Sequence, residues 1–446
     1  MAGHSSERNR RRVPASQFLP FDRVRSYLRM DATPTGRTTT ERLFDTAADL
    51  FWDKGFAATT TREIASAVGI QQASLYHHMA SKEELVYKIC LSSLAEFLAA
   101  TPAAVGAIPD PLGRIRLLIR EHLGTLLRHQ RRNVTLLTEL RSLSAPHRGE
   151  VVALRDQYDQ FVRSTIEYAQ SAGVIRNDIP AKYLGLALMS MLNHSALWYR
   201  KDHTLIESDL ARVFTTVFLE GSAAKSARSS WTVPDQRAGI KKDTPPARKK
   251  ARALQNGQTP ALQRALDAAV GLFSRKGYTA TSTREVAALV GMQKASLYYH
   301  IDSKEDLLYL VCRSSLEQIR QDVEGATKDC ADPLERQRVL IATHVRSLLR
   351  DAKRHITTFN EMHALSHDRL AQVLALRDEH ESLVRSVLQA GQDAGVLRSD
   401  IEAKYLCLAL LGMMNRVTVW YRRTGPLSAS QIGELLAVIF LTGASV

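Results

Sequence analysis

The 446-residue chain has only four cysteines, Cys90, Cys312, Cys330 and Cys407. No two of them form a Cys-x-x-Cys, and four are too few for a disulfide framework at this length. Cys90 and Cys312 read as small buried apolar residues, and the set suits a reducing compartment. Long apolar runs are missing too. The longest, near Leu184 to Leu192 and Leu406 to Met414, fall short of the ~20 residues that span a bilayer, so no membrane partner is expected. Arg8, Arg10, Arg11 and Arg12 have no apolar stretch behind them, which argues against a signal peptide. There is no P-loop, no Gly-x-Ser-x-Gly, no metal-spaced His/Cys set and no paired Cys/His motif. His77 and His78 are adjacent, which is poor geometry for zinc. Neither catalysis, nor a metal, nor a bound cofactor is expected.

What the chain does have is itself, twice. Position n matches position n + 222 from about Glu41 to about Gly221, with no insertion or deletion. Between Gly55 and Val86, 19 of 32 residues are identical to their partners. That period is far too long for a solenoid or a propeller, so a whole protein has been duplicated. Each copy is long enough for its own core.

Most of the net charge of +14 lies outside the copies, which together carry only about +2. Residues 1–40 carry +5 and residues 225–260 carry +7. Basic arms of this kind suit non-specific attraction to phosphates, or simply a solvated tail. The expected organisation is a basic extension over 1–40, a DNA-binding domain over 41–87 and a helical regulatory domain over 88–224. A basic, proline-containing linker follows over 225–259, then the second pair of domains over 260–309 and 310–446. Phe18, Phe21, Val24 and Leu28 are spaced for a short amphipathic helix in the extension. The linker has a flexible reach of roughly 30–35 Å and an extended limit above ~100 Å. Half-sites on DNA lie about 34 Å apart per helical turn, so tethering two readers is feasible.

Inside each unit the apolar period is helical, with no alternating strand pattern. Leu43, Ala47, Leu50 and Phe51 share a face of a first helix that stops at Gly55. Thr61 to Val68 predicts a second, Gly69 a turn, and Gln71 or Gln72 the start of a third that ends near His78. Ser81 and Glu84 have capping-box spacing at the start of a fourth. Further helices are expected over 112–129, 132–143, 148–172, 180–200 and 207–220, with the same plan in the second copy.

The second and third helices have the form of a helix-turn-helix. Gly69 and Gly291 suit the turn, where a left-handed backbone is easiest for glycine. Ala65, Val68 and Leu75, with Ala287, Val290 and Leu297, supply the apolar wedge. The outward side chains are Gln71, Gln72, Ser74 and His77, against Gln293, Lys294, Ser296 and Tyr299. Glutamine can pair bidentately with adenine, and lysine can reach guanine. Thr60, Thr61, Arg62, Tyr76, His78 and Lys82 suit phosphate oxygens around them. So do Ser282, Thr283, Arg284, Tyr298, His300 and Lys304. Gln72 becomes Lys294 and His77 becomes Tyr299, so the two readers differ and an imperfect palindrome is expected.

The string Gly-x-x-x-x-Ser-Leu-Tyr-x-His-x-x-Ser-Lys-Glu-x-Leu, at Gly69–Leu85 and Gly291–Leu307, closely resembles the N-terminal domain of the TetR family of bacterial regulators. The resemblance is sharpest over about 50 residues of each unit. It implies phosphate contacts by Tyr76, Lys82, Tyr298 and Lys304, and base reading by residues like Gln71, Gln72, Ser74 and His77. It also implies that the C-terminal helices form a ligand pocket and a four-helix dimer interface. The Trp-Tyr-Arg of Trp198–Arg200 and Trp420–Arg422 resembles regulators of fatty-acid and sterol catabolism. In those, acyl-CoA thioesters release the DNA. Candidate effector contacts are His122, Thr135, Tyr158 and Asn193, with His344, Thr357, His380 and Asn415. A lone polar residue on an apolar helix is more often a satisfied core group.

The expected fold class is all-α: two TetR-like units, each a helix-turn-helix domain plus a helical ligand-binding and dimerisation domain, packed as an intramolecular pseudo-dimer. The expected function is a cytoplasmic, nucleoid-associated bacterial repressor. Its partners are an operator in double-stranded DNA and a small hydrophobic, acyl-CoA-like or other lipid-derived effector. A further homo-oligomer or a swapped two-chain assembly is left open. So is an activator or architectural protein that takes no effector.

Overall fold

The computed structural model describes residues 38–200, 206–221 and 259–443. The segment through Phe18, Phe21, Val24 and Leu28 and the basic linker lie outside the described residues. Those described are helical, without a strand. The first unit contains α1 (Thr39–Lys54), α2 (Thr61–Val68), α3 (Gln72–His78), α4 (Lys82–Gly106), α5 (Pro111–Arg128), α6 (Gln130–Thr138), α7 (Ala145–Ser171), α8 (Ala181–Trp198) and α9 (Glu207–Glu220). The second repeats the plan with α10 (Pro260–Lys276), α11 (Thr283–Leu289), α12 (Lys294–Tyr298), α13 (Lys304–Thr327), α14 (Pro333–Arg350), α15 (Ala352–Glu361), α16 (His367–Asp393), α17 (Ala403–Asn415), α18 (Val417–Trp420) and α19 (Ala429–Thr442).

Local chemistry sets the helix starts. Thr38, Thr60 and Ser282 each accept the N–H three residues on, and a glutamate there returns the bond. Each such box satisfies two otherwise orphaned donors. The box expected at Ser81 is displaced. Ser81 accepts from the Glu84 N–H at 3.1 Å, but the Glu84 carboxylate takes the Ala80 N–H. The shorter Asp306 completes the box on Ser303. The single helix expected over 132–143 is broken: α6 ends at Thr138, and a 3-10 turn follows over Leu140–Ser142. Glu139 leaves helical geometry, and its carboxylate accepts from the Ser142 hydroxyl at 2.8 Å.

The expected domain boundaries at 87/88 and 309/310 fall inside α4 and α13. Each is one continuous rod from the reader into the regulatory helices. By length and hydropathy, α4 is the one described helix that qualifies as a membrane span. Its apolar residues from Leu85 to Leu98 are instead buried against the protein.

Each reader has its own small core. The regulatory helices of both units share one core that runs across the boundary between them. There α8 packs on α17, and α9 meets α19. Arg176 donates to the Thr442 hydroxyl at 2.7 Å, and its counterpart Arg398 donates to the Gly221 carbonyl at 3.2 Å. Gly221 and Gly443 end the last helix of each unit at φ 76° and 77°. A Cβ on either would lie 2.6 Å from the backbone nitrogen of the other. Only glycine meets both demands at this crossing.

Gly443→Ala therefore combines a left-handed strain with backbone overlap and is expected to cost on the order of 2–4 kcal/mol. Thermal denaturation should show a clear fall in Tm. Gly149→Ala, on a helix with open space around it, should leave Tm unchanged or raise it. Equal melting of the two variants would contradict the crossing.

Candidate nucleic-acid interface and buried polar relays

In the first reader α2 ends on Gly69 at φ 78°, ψ 34°. That left-handed residue turns the chain into α3 within three residues. Ala65, Val68 and Leu75 are buried between the helices, as expected. In the second reader Ala287 and Leu297 are buried, but Val290 is only half-buried, because α11 stops one residue earlier at Leu289.

The polar side chains come together on one exposed face. Thr60, Arg62, Gln71, Gln72, Ser74, Tyr76 and His77 are exposed, with Thr61, His78 and Lys82 half-buried at its edge. The same holds for Ser282, Arg284, Gln293, Lys294, Ser296, Tyr298 and Tyr299, with Thr283, His300 and Lys304 at the edge. Gln71 and Gln293 sit at the N-caps of α3 and α12 but do not cap them. Their amides are not spent on their own helices. Tyr299 is 87% exposed, the extreme among the large hydrophobic residues of the described chain. Lys294 lies 5.4 Å from the Tyr298 ring, and the Tyr298 hydroxyl is 3.1 Å from that of Thr283.

Lys82 and Lys304 are differently placed. The Lys82 ammonium donates to the carbonyls of Phe56 at 2.5 Å and Thr59 at 2.6 Å, and stands 4.3 Å over the Phe56 ring. Lys304 does the same with Tyr278, Thr281 and the Tyr278 ring. Both lysines are lowered from the ordinary pKa by burial. They fasten the loop between the first two helices, so any phosphate contact must compete with these bonds.

Arg132 and Arg354 carry a role that the sequence reading missed. Arg132, 4% exposed, donates to the Asp45 carboxylate at 2.6 Å and to the Glu41 carbonyl at 2.9 Å. Arg354 donates to Asp267 at 2.5 Å and to Asp351 at 3.0 Å. Each joins the first reader helix to the regulatory helices. The available signal was the identity of both arginine and aspartate across the 222-residue offset.

The effector candidates divide. The Tyr158 hydroxyl lies 2.9 Å from His122 Nδ1, and His122 Nε2 lies 3.2 Å from Asn193 Oδ1. In the second unit His380 Nε2 is 3.1 Å from His344 Nδ1, and His344 Nε2 is 3.1 Å from Asn415 Oδ1. With the asparagine oxygens so placed, each central histidine donates through Nε2 and accepts at Nδ1. Thr135 and Thr357 stand apart from these relays. Thr135 bonds the Arg131 carbonyl of its own helix, and the Thr357 hydroxyl is buried without a partner.

The relays are not equivalent. Phe97 stacks 4.8 Å from His122 and 5.4 Å from Tyr158, closing the first. The second has Ile319 and His380 at those positions. It leaves His380 Nδ1 and the nearby His355 Nδ1 buried and unbonded. A small pocket, with room for about one water, is lined by His355, Ile319, Gln318 and Ser347. Among the described residues no group of three His, Cys, Asp or Glu side chains is arranged to hold a metal. Trp420 lies at the unit boundary, where its Nε1 donates to Ser190 of the other unit at 3.2 Å.

Residues 43–89 and 265–310 match the family model of bacterial regulatory proteins, tetR family. Residues 109–222 and 330–444 match that of the tetracyclin repressor-like C-terminal domain. The chain is 26% identical over 181 residues to the HTH-type transcriptional repressor KstR2 of Rhodococcus jostii, covering 40% of this chain and 88% of that one. It is 31% identical over 150 residues to the HTH-type transcriptional repressor NicS of Pseudomonas putida, covering 33% of this chain and 71% of that one. Among solved structures, the TetR family transcriptional regulator PfmR of Thermus thermophilus is similar at 33% identity. That match covers 40% of this chain and 96% of the other, with a TM-score of 0.38.

Two outcomes follow from this geometry. Lys82→Met leaves loop carbonyls without a charged donor and is expected to cost roughly 1.5–3 kcal/mol. Urea denaturation without DNA should detect it, while Lys294→Met should leave stability within about 0.5 kcal/mol. The second concerns acid. Burial holds His122, His355 and His380 down to about 4. The unfolded chain binds those protons near pH 6.5. Protons then favour the unfolded state, so stability should fall as pH drops from about 6.5 to 4. In His380→Tyr, which installs the first unit's residue, that slope should be shallower. A pH-independent denaturation midpoint over this range would contradict it.

Proposed function

The chain belongs to the TetR family of bacterial regulatory proteins, and we propose that one polypeptide supplies both halves of a DNA-bound pseudo-dimer. It is a DNA-binding transcriptional regulator, and the repressor reading follows the relatives it resembles. It acts in the cytoplasm on an operator in double-stranded DNA. The observation that carries this reading is the exposed polar face repeated on α3 and α12, beside a core that joins the two units.

Gln71, Gln72, Ser74 and His77 read bases in one half-site; Gln293, Lys294, Ser296 and Tyr299 read the other. The threonines, serine, arginines, tyrosines and histidines around them position the phosphates. Because the heads differ at two reading positions, the operator is an imperfect palindrome. Release comes from a small hydrophobic or acyl-CoA-like effector at the buried relays, with His122, Tyr158 and Asn193 in one unit and His344, His380 and Asn415 in the other. The second relay is the more open, since it lacks the Phe97 and Tyr158 rings and keeps unbonded imidazole nitrogens. A ligand shifts the DNA-bound state only if it prefers the other arrangement of the heads.

Footprinting on the DNA upstream of its own gene, with and without an acyl-CoA panel, tests the whole reading. Protection lifted by one ligand is the expected result. No protected site would sink the regulator, and protection indifferent to every small molecule would favour an activator or architectural protein. Replacing one half-site with a copy of the other should weaken binding by roughly 5- to 150-fold, the range of one lost bidentate contact. In the double variant Lys294→Gln with Tyr299→His, the operator with two copies of the first unit's half-site should become the better one.

A further inference from the structure

The units meet through contacts of two kinds. Some obey the approximate two-fold symmetry of the duplication, such as the Gly221 and Gly443 crossing and the reach of Arg176 and Arg398. Others break it, and one set of these sits where α8 crosses α17. Position 190 of the first unit corresponds to position 412 of the second. The first is serine and the second glycine. Ser190 accepts the indole N–H of Trp420 across the boundary. The matching indole, Trp198, has no side chain at Gly412 to accept its proton, and its Nε1 is buried without a partner.

We propose that this surface is built for unlike pairing: the first unit's face accepts the second unit and discriminates against another copy of itself, and the second unit's face does likewise. This rests on the pseudo-dimer reading and deepens it.

Consider a pair of first units. Serine would stand where Gly412 stands. Its Cβ would fall 3.0 Å from the Met191 Cα and 3.1 Å from the His194 Cβ, and symmetry would impose that squeeze twice. Overpacking of a close helix crossing is destabilising. The pair would also lose Arg416, whose charge faces Asp159 across the boundary. Burial pushes the Asp159 carboxyl up to about 6, against the pull of Arg155 and Arg416. With two first units, both such carboxyls would face histidines.

A pair of second units fails differently. Glycine would oppose glycine, so both Trp420 indoles would lose the Ser190 hydroxyl. His194, which now lies in the field of Arg416, would be replaced by a second Arg416. Burial already lowers this guanidinium to about 10. Two such cations would share one desolvated crossing, with Glu381 in the place of Asp159 as the one carboxylate offered to each, and like-charge juxtaposition there works against the wrong pair.

The test uses the full chain with a protease site inserted between residues 225 and 258. Cleavage of the folded protein frees the two halves from their tether, mixing with isotopically labelled cleaved protein establishes that partners exchange, and native mass spectrometry then reads the pairs. Random pairing would make half of all pairs homotypic. The expected result is persistent one-to-one unlike pairs, with homotypic pairs suppressed by about tenfold or more. Homotypic pairs at the random share would overturn the discrimination while leaving the pseudo-dimer intact. Halves that separate would overturn both. Ser190→Gly with Arg416→His removes the squeeze from one homotypic pair and the repulsion from the other. After cleavage, that variant should show homotypic pairs that the parent does not.

Discussion

Beneath the first helix of each unit lies a guanidinium that has almost no water to turn to. Arg132 bonds Asp45 and the Glu41 carbonyl, and Arg354 bonds Asp267, Asp351 and Ser314. A buried cation without its partners is costly, so the first helix cannot slide or swing freely on the regulatory helices. The long helices α4 and α13 supply the second restraint, since each runs unbroken from reader to regulatory core. A bond at one edge and a rod at the other fix the angle of each reader. Any rearrangement that moves a reader must shift the rod or the arginine. That is the mechanical content of a switch in this architecture.

The regulatory helices close the other end of the chain of constraint. Their apolar residues form one core across both units, so neither unit buries its last two helices alone. The angle of a reader relative to its own rod and the angle between the two rods are therefore set by different forces. The first is set by charge and hydrogen bonds, the second by apolar packing and the glycine crossing at Gly221 and Gly443. The Arg141 to Glu361 ion pair, at 2.5 Å, adds a direct tie between the units close to the readers. Its mirror positions are Glu139 and His363, so the tie is made on one side only.

Much of this was legible in the residues. The repeat declares two like units, and helical spacing with Gly69 and Ser81 places α2, α3 and α4 almost to the residue. The polar face of the reading helix could be named because Leu75 joins the wedge of Ala65 and Val68 and so leaves the polar positions facing outward. The three-residue relays were partly foreseen, since His122, Tyr158 and Asn193 are the polar exceptions on apolar helices. Thr135 was not separable from them, because whether a hydroxyl turns back to its own helix depends on neighbours far along the chain. The break after Thr138 escaped for the same kind of reason: a local Glu139–Ser142 bond outweighs an unbroken apolar period. Lys82 and Arg132 show the general limit. A sequence shows that a charge is present, but its partner is a carbonyl or carboxylate brought close by folding.

The shared core also bears on supply. An ordinary two-subunit regulator falls apart on dilution, so its operator occupancy drops with the square of its concentration once subunits separate. Two units whose apolar helices are buried against each other within one chain have no such second-order step. On the proposed reading, occupancy follows the first power of copy number. A cell could then keep a gene silent with very few molecules, and partition at division would change the silencing in proportion rather than abruptly.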